Sequence, residues 1–207
     1  MTIMSTANAT TDVLAELTQQ NSTNVEMMIG VGLVKDSDAV FFQYVGEKDH
    51  QALMLPTGKP MTRIQNVKLV GISVADDIGE FKASKLNVFL STAAGHTVML
   101  TSGLTTIWSQ CLITGLMGAY ENECLPFALT IDSWKGNSKM KPCFAAVRSG
   151  DLKVSDADLY EQLKEARTDR DNDKVQKILR DSVSILAHAI GVESVVVETE
   201  VKQEADL

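Results

Sequence analysis

Residues 62–101 read TRIQNVKLVGISVADDIGEFKASKLNVFLSTAAGHTVMLT. The segment contains three runs rich in β-branched and aliphatic residues, at 62–75, 83–91 and 96–101. Short clusters of Asp, Ala and Gly separate the runs, and such clusters are typical of turns. The segment therefore predicts three consecutive strands, of which the first is the longest.

The hydrophobic period changes after this segment. Apolar residues recur at helical spacing from Leu104 to Tyr120, which predicts an amphipathic helix over residues 104–120. Strand character returns at 126–134 and 141–149. Three strands, a helix and two strands are the order of the OB fold, a small five-stranded barrel. We therefore expect an α+β protein, mainly β with α appendages, with an OB-like five-stranded barrel and a helix between its third and fourth strands.

The flanking regions predict additions to this barrel. Two β-rich runs at 25–34 and 39–45 predict an N-terminal β-hairpin, and helical periodicity with a break at 169–173 predicts C-terminal helices. These patterns divide the chain into five parts: a flexible segment at 1–24, a hairpin extension at 25–57, the OB-like barrel at 58–153, a helical region at 154–191 and an acidic tail at 192–207.

The middle of the chain also resembles a known family. The resemblance lies in KLVGISV at 68–74, KLNVFLS at 85–91 and a closing hairpin at 134–147, which carries Trp134-Lys135-Gly136 and Cys143-Phe144-Ala145. In these features, residues 62–149 resemble the OB-fold single-stranded-DNA-binding proteins of phages and plasmids. The resemblance implies binding of single-stranded DNA.

Side-chain alternation predicts where such a ligand binds. Residues two apart in a strand share a face, so each predicted strand has one apolar face for a core. The opposite faces carry Phe89, Trp134 and Phe144, with Lys85 and Arg148 on two of them. Bases stack on aromatic rings, and cations bind phosphates. Alternatively, the 25–45 hairpin or the C-terminal helices cover this face and the aromatic residues belong to the core.

A lysine-rich turn is a second feature of the same kind. Lys135, Lys139 and Lys141 surround the turn of the last hairpin and are expected to contact a nucleic-acid backbone, although a solvated turn has the same composition. The expected nucleic-acid-binding residues are Lys68, Lys82, Lys85, Phe89, Trp134, Lys135, Lys139, Lys141, Phe144 and Arg148.

The charge distribution agrees with this expectation. The chain has a net charge of −8, from 19 Lys and Arg against 27 Asp and Glu. Residues 58–153 hold 10 basic and 7 acidic side chains, a net charge of +3, whereas the flanks before and after them are at −5 and −6. The predicted barrel is therefore the basic part of an acidic protein.

The sequence lacks the signatures of an enzyme. There is no phosphate-binding loop, no G-x-S-x-G and no H-E-x-x-H motif, and the three cysteines are too widely spaced for a paired zinc site. We expect no catalytic residues, no cofactor, no metal and no disulfide. Because the N-terminus has no secretory signal and no apolar run is long enough to span a membrane, we expect a cytoplasmic protein without a membrane partner.

The leading functional hypothesis is non-catalytic binding of single-stranded nucleic acid, with DNA expected, in replication, repair or recombination. The alternative is a structural or assembly subunit that uses the barrel as a protein-binding module. The apolar stripe of the last helix is typical of core or of a homo-oligomer contact. The acidic tail is either a solubilising segment or a recruiter of a protein partner, although it lacks the terminal Asp-Pro-Phe ending of bacterial single-stranded-DNA-binding proteins.

Overall fold

The computed structural model describes residues 25–34, 37–45, 49–78, 82–125 and 128–191. They form nine strands and three helices. In chain order these are β1 Met27–Val31, β2 Phe41–Val45, β3 Asp49–Ala52, β4 Arg63–Ile78, β5 Ala83–Thr92, β6 Thr97–Gly103, α1 Ile107–Glu121, β7 Leu129–Lys135, β8 Cys143–Ser149, β9 Leu152–Val154, α2 Ala157–Thr168 and α3 Asn172–Ala189. The protein is therefore of mixed α+β class, as the sequence predicts. None of its described helices is long and apolar enough to cross a membrane. The predicted flexible segment 1–24 and acidic tail 192–207 lie outside the described residues.

All nine strands belong to one open sheet with the order β3-β2-β1-β6-β5-β4-β7-β8-β9. Neighbouring strands are antiparallel, apart from β1 and β6, which run parallel with Met28 opposite Met99. The antiparallel pairing of β1 with β2 agrees with the predicted N-terminal hairpin. The short strands β3 and β9 were not predicted, because four and three residues are too few to show a period.

The predicted closed barrel is not confirmed. The five expected strands are present as β4 to β8, and α1 lies between the third and fourth of them. Their order in the sheet is β6-β5-β4-β7-β8, so a closed barrel needs β6 to pair with β8. Within the described part of the chain β6 instead pairs with β1, and β8 pairs with β9. The backbone groups at both ends of the five-stranded set thus find other partners, and the sheet stays open.

The long strand β4 joins the two halves of the sheet. Val67, the fifth of its sixteen residues, is opposite both Thr92 of β5 and Leu129 of β7. The register shifts between Ile64 and Val67, where Asn66 has a φ of 56°, and shifts again between Leu69 and Gly71. Because β-bulges bend a strand and increase its twist, one strand can pair with β7 at its start and with β5 further along.

The core lies between one face of this sheet and α1. The predicted alternation is confirmed for Leu86, Val88 and Leu90, which are fully buried. Trp108 of α1 is buried too, and its indole Nε1 donates a hydrogen bond of 2.9 Å to Ser133 Oγ on β7. The helix starts three residues later than predicted, because the Thr106 side chain accepts a hydrogen bond from the backbone N–H of Ser109 and caps it.

The helix α1 is not amphipathic as predicted, because it packs on β8 of the sheet and also contacts both α2 and α3, and α3 reaches β4 of the sheet as well. Buried side chains therefore surround it, including the polar Ser109, Gln110 and Thr114. One core cluster contains side chains from β1 and β2, from the central strands and from all three helices. This cluster crosses both sequence boundaries expected for the barrel, at residues 57/58 and 153/154.

Candidate nucleic-acid interface

The sheet has an inner face, which packs on α1, and an outer face opposite to it. Phe89, Trp134 and Phe144 lie on the outer face, since their strand neighbours Val88, Ser133 and Cys143 are buried on the inner side. Trp134 is 43% exposed, while Phe89 and Phe144 are half-buried. The hairpin β1–β2 extends the sheet at the side of β6 and the helices pack on the inner face, so the described parts of these elements leave the three rings accessible.

Trp134 and Phe144 form one unit. They are directly opposite each other on β7 and β8, and their rings stack with centroids 5.8 Å apart and planes 17° from parallel. The Phe144 ring also lies over Gly136, where a Cβ would come within 2.8 Å of the ring. Phe144 is thus held between a backbone and a ring, and Trp134 is the more exposed member of the pair.

Two arginines flank this ring pair. Arg63 of β4 and Arg148 of β8 both bind Asp132 of β7, and the Arg148 Nε lies 2.9 Å from Asp132 Oδ2. Partial burial acts to raise the pKa of Asp132, but the hydrogen bonds from the two guanidinium groups outweigh it and hold that pKa below its usual value. Two cations and one anion give this group a net charge of +1. We call Trp134, Phe144, Arg63, Asp132 and Arg148 the tryptophan patch.

The lysine-rich turn between β7 and β8 contacts the loop between β1 and β2. Lys135 donates a hydrogen bond to the carbonyl oxygen of Ser37, and the Lys141 ammonium lies 3.7 Å from the Asp38 carboxylate. Beside these contacts the two segments line a cleft of about 650 Å³, and Lys139 is also part of its lining. Lys135 is therefore engaged in holding the loop, and Lys139 and Lys141 are the exposed lysines of the turn.

Phe89 belongs to a different part of the outer face. It is opposite Gly71 on β4 and opposite Met99 on β6, and a Cβ on Gly71 would lie 3.0 Å from the Phe89 ring. Lys85 is on the same face of β5, and Lys68 of β4 is opposite Ser91. We call Phe89, Lys85 and Lys68 the phenylalanine patch. Lys82 is exposed beside the turn from β4 to β5, with a φ of 46°.

The structure does not bring the two patches together. Ser133, next to Trp134, donates its backbone N–H to Thr62, whereas Phe89 is opposite Gly71. Thr62 and Gly71 are nine residues apart, about 30 Å along the strand at 3.3 Å per residue. Nine of the ten expected residues therefore form two patches and a lysine-rich turn on one sheet, and Lys82 belongs to none of the three.

Sequence reasoning missed Arg63, Met28, Met99 and Tyr44 on the outer face. Arg63 lies beside Asp132 because β4 pairs with β7, and the two residues are 69 positions apart in the chain. The other three depend on the pairing of β1 with β6 and on the face that β2 exposes. The one local signal was alternation, which shows that two residues share a face but not which strand is next to them.

Two of the three thiols are in surroundings that disfavour their reactive form. Burial raises the pKa of the Cys111 and Cys143 thiols, which disfavours the nucleophilic thiolate. Across the ranges that the structure describes, no three His, Cys, Asp or Glu side chains come close enough together to hold a metal ion.

Comparison of the chain with protein-family models, with curated protein sequences and with solved structures finds no match. The geometry of the outer face is therefore the basis for a functional conclusion.

Proposed function

We propose that this protein binds single-stranded nucleic acid without a chemical step, and that single-stranded DNA in replication, repair or recombination is its ligand. The observation that carries this proposal is the exposed Trp134 ring, stacked on Phe144 and flanked by Arg63 and Arg148. A base that stacks on an aromatic side chain gains roughly 1–3 kcal/mol without regard to sequence.

The charges of the tryptophan patch suit a phosphate backbone. Asp132 holds both guanidinium groups on the outer face, and each guanidinium has further N–H donors beyond those that bind the carboxylate. Lys153 of β9 is opposite Arg148 and adds a cation at this side. A strand whose base stacks on Trp134 thus has cations on both sides of it, from the arginines and from the lysine-rich turn.

We also propose that β4 to β8 with α1 are an OB-like arrangement that β1 holds open. The strand order, the position of α1 and the bends in β4 support this relationship. On this proposal the two patches lie on the outer face of the sheet, which corresponds to the outside of an OB barrel. A crystal structure in which β4 and β7 are not neighbours would contradict it.

The test is fluorescence polarisation with a labelled oligo-dT across a salt series. We expect Trp134→Ala to weaken binding by roughly 1–3 kcal/mol with little loss of stability, and log affinity to fall linearly with log salt. Tyr160→Ala is the matched control, because Tyr160 is an aromatic side chain that is 46% exposed on α2, away from the outer face. Equal affinities of the two variants, or the absence of oligonucleotide binding by the unmodified protein at low salt, would contradict the proposal.

Intrinsic fluorescence gives a second readout of the same variant. Trp108 is buried and hydrogen-bonded to Ser133, so it should not respond to an oligonucleotide. We expect quenching on titration in the unmodified protein and none in Trp134→Ala.

A further inference from the structure

A row of apolar and aromatic side chains crosses five neighbouring strands of the outer face. It begins at Phe89 on β5, which is opposite Met99 on β6, and Met99 is opposite Met28 on β1. On β2, Tyr44 is on the same face as Phe42, which covers Gly30 of β1. We call Phe89, Met99, Met28, Tyr44 and His50 the outer row.

The far end of the row is built from aromatic side chains. His50 of β3 is opposite Tyr44, and their rings meet edge to face at 5.1 Å. His50 also stacks on Phe42 at 4.1 Å, and Phe42 is buried over Gly30. Phe42 thus supports the two rings above it, while Tyr44 is 39% and Met28 42% exposed. At about 4.8 Å per strand, the row is about 19 Å long.

We propose that the outer row is a second base-binding surface, through which strands β1 to β3 extend the nucleic-acid interface beyond the five central strands. This inference rests on the proposed function. It assigns a ligand-binding role to Met28, Tyr44 and His50, which lie outside the predicted barrel.

The surroundings of the row favour a nucleic-acid strand as its occupant. At β5 and β6 the row is one residue wide, with the polar pair Asn87 and Thr101 on one side and Ser91 and Thr97 on the other. Bases present an apolar face and polar edges, which matches an apolar row between polar ones. The core of a protein–protein interface is instead a wider apolar area.

The charges at the Phe89 end of the row suit a phosphate backbone. Lys85 precedes Phe89 by four residues on the same face, and Lys68 lies beside Ser91, so cations lie near the Phe89 end of the row. Glu26 lies near the row at β1 and is paired with His96 at 2.6 Å. Tyrosine is uncharged at physiological pH, and partial burial raises the pKa of Tyr44 further above its usual value.

The experiment measures binding of a labelled oligo-dT of about 16 nucleotides, the upper end of the site size of an OB fold. Tyr44→Leu should lower affinity about tenfold, because it removes a stacking ring. Tyr44→Phe should bind like the unmodified protein. Tyr160→Leu is the matched control, because Tyr160 is 46% exposed on α2, on the other side of the molecule, and should leave affinity unchanged.

A second measurement does not depend on the folding of a variant. Photocrosslinking of the unmodified protein to an oligonucleotide containing 5-iododeoxyuridine should label peptides that contain β1, or β2 and β3. The inference is overturned if the protein binds, Trp134→Ala weakens binding, and yet Tyr44→Leu binds normally and no crosslink falls on these strands. If the unmodified protein does not bind at low salt, the proposed function fails, and this inference fails with it.

Discussion

At the scale of single residues, the outer face shows the same packing three times, a phenylalanine ring over a glycine. Phe42, Phe89 and Phe144 each pack over a glycine, at Gly30, Gly71 and Gly136. A glycine leaves space above the backbone, and a neighbouring ring fills it, at Gly30 and Gly71 within strands and at Gly136 directly after β7. The sequence pattern shows the rings as possible ligand platforms, but the structure shows that Phe89 and Phe144 also have this packing role, which explains why they are half-buried.

Gly30→Ala tests the packing of a phenylalanine ring over a glycine. A Cβ at Gly30 would overlap the Phe42 ring, whereas a Cβ at Gly32 would lie 3.7 Å from it, an ordinary contact. We expect Gly30→Ala to lower the free energy of unfolding by roughly 1–3 kcal/mol, as overpacking does, and Gly32→Ala to change it little. Urea unfolding of both variants measures the difference, and equal stabilities would show that Phe42 can move away at no cost.

Asp132 gives a pH dependence at the same scale. Its pKa is lowered in the folded protein, so its ion pairs stabilise the fold above the unfolded pKa of about 3.9, and this contribution is lost as pH falls through the folded value. We therefore expect Asp132→Asn to be less stable than the unmodified protein at pH 7, with a gap that closes as pH falls below about 4. Thermal melting between pH 7 and pH 3 measures the gap, and a gap independent of pH would rule out the ion pairs as its cause.

At the scale of elements, α1 determines how the layers pack. It contacts the sheet and both other helices, and its glycines allow close contact with the sheet and with the start of α2. Gly115 faces Val147 of β8, and Gly118 faces the backbone of Ser155 just before α2. The backbone N–H of Asp156 also donates to the carbonyl oxygen of Thr114, so the start of α2 is bound directly to α1.

The packing of α1 against α2 can be tested by whether Gly118→Ala raises or lowers the free energy of unfolding. At an exposed helical site, Gly→Ala stabilises a protein by up to about 1 kcal/mol, through helix propensity. At Gly118 a Cβ would overlap the backbone of Ser155, which cannot rotate away as a side chain can. We expect Gly118→Ala to destabilise the protein by roughly 1–3 kcal/mol in chemical unfolding. An increase in stability would mean that α1 and α2 are less closely packed.

At the scale of the whole molecule, the barrel region does not stand apart from its flanks. The common core includes Ile29 and Phe41 from the first strands and Leu163, Leu179 and Leu186 from the last two helices. Arg180 of α3 also binds Asp76 of β4, and Asp76 accepts a hydrogen bond from Ser84 of β5. Residues 58–153 differ from their flanks in net charge, but their side chains share one hydrophobic core with the flanks.

A fragment of residues 58–153 should therefore not fold by itself. It lacks β1, so the edge of β6 is free, and it lacks α2 and α3, so the buried side chains of α1 and β4 that they cover are exposed. We expect no cooperative thermal transition by circular dichroism, in contrast to a fragment of residues 25–191. A cooperatively folded 58–153 fragment would show that the flanks are true appendages.

The sequence by itself determined the features that depend on near neighbours. The alternation of Leu86, Val88 and Leu90, the change of period at α1 and the break between α2 and α3 are local, because a strand or helix repeats every two or 3.6 residues. The candidate ring residues Trp134 and Phe144 follow from the same alternation.

Only the tertiary structure decided which strands are neighbours. Alternation does not choose a partner for β6, and pairing with β1 instead of β8 leaves the sheet open. That pairing joins Met28 to Met99, and the pairing of β4 with β7 joins Arg63 to Asp132, across about 70 residues each. Such contacts depend on hydrogen bonds between the edges of neighbouring strands and on burial of the whole core. Neither can be predicted from a short segment of sequence.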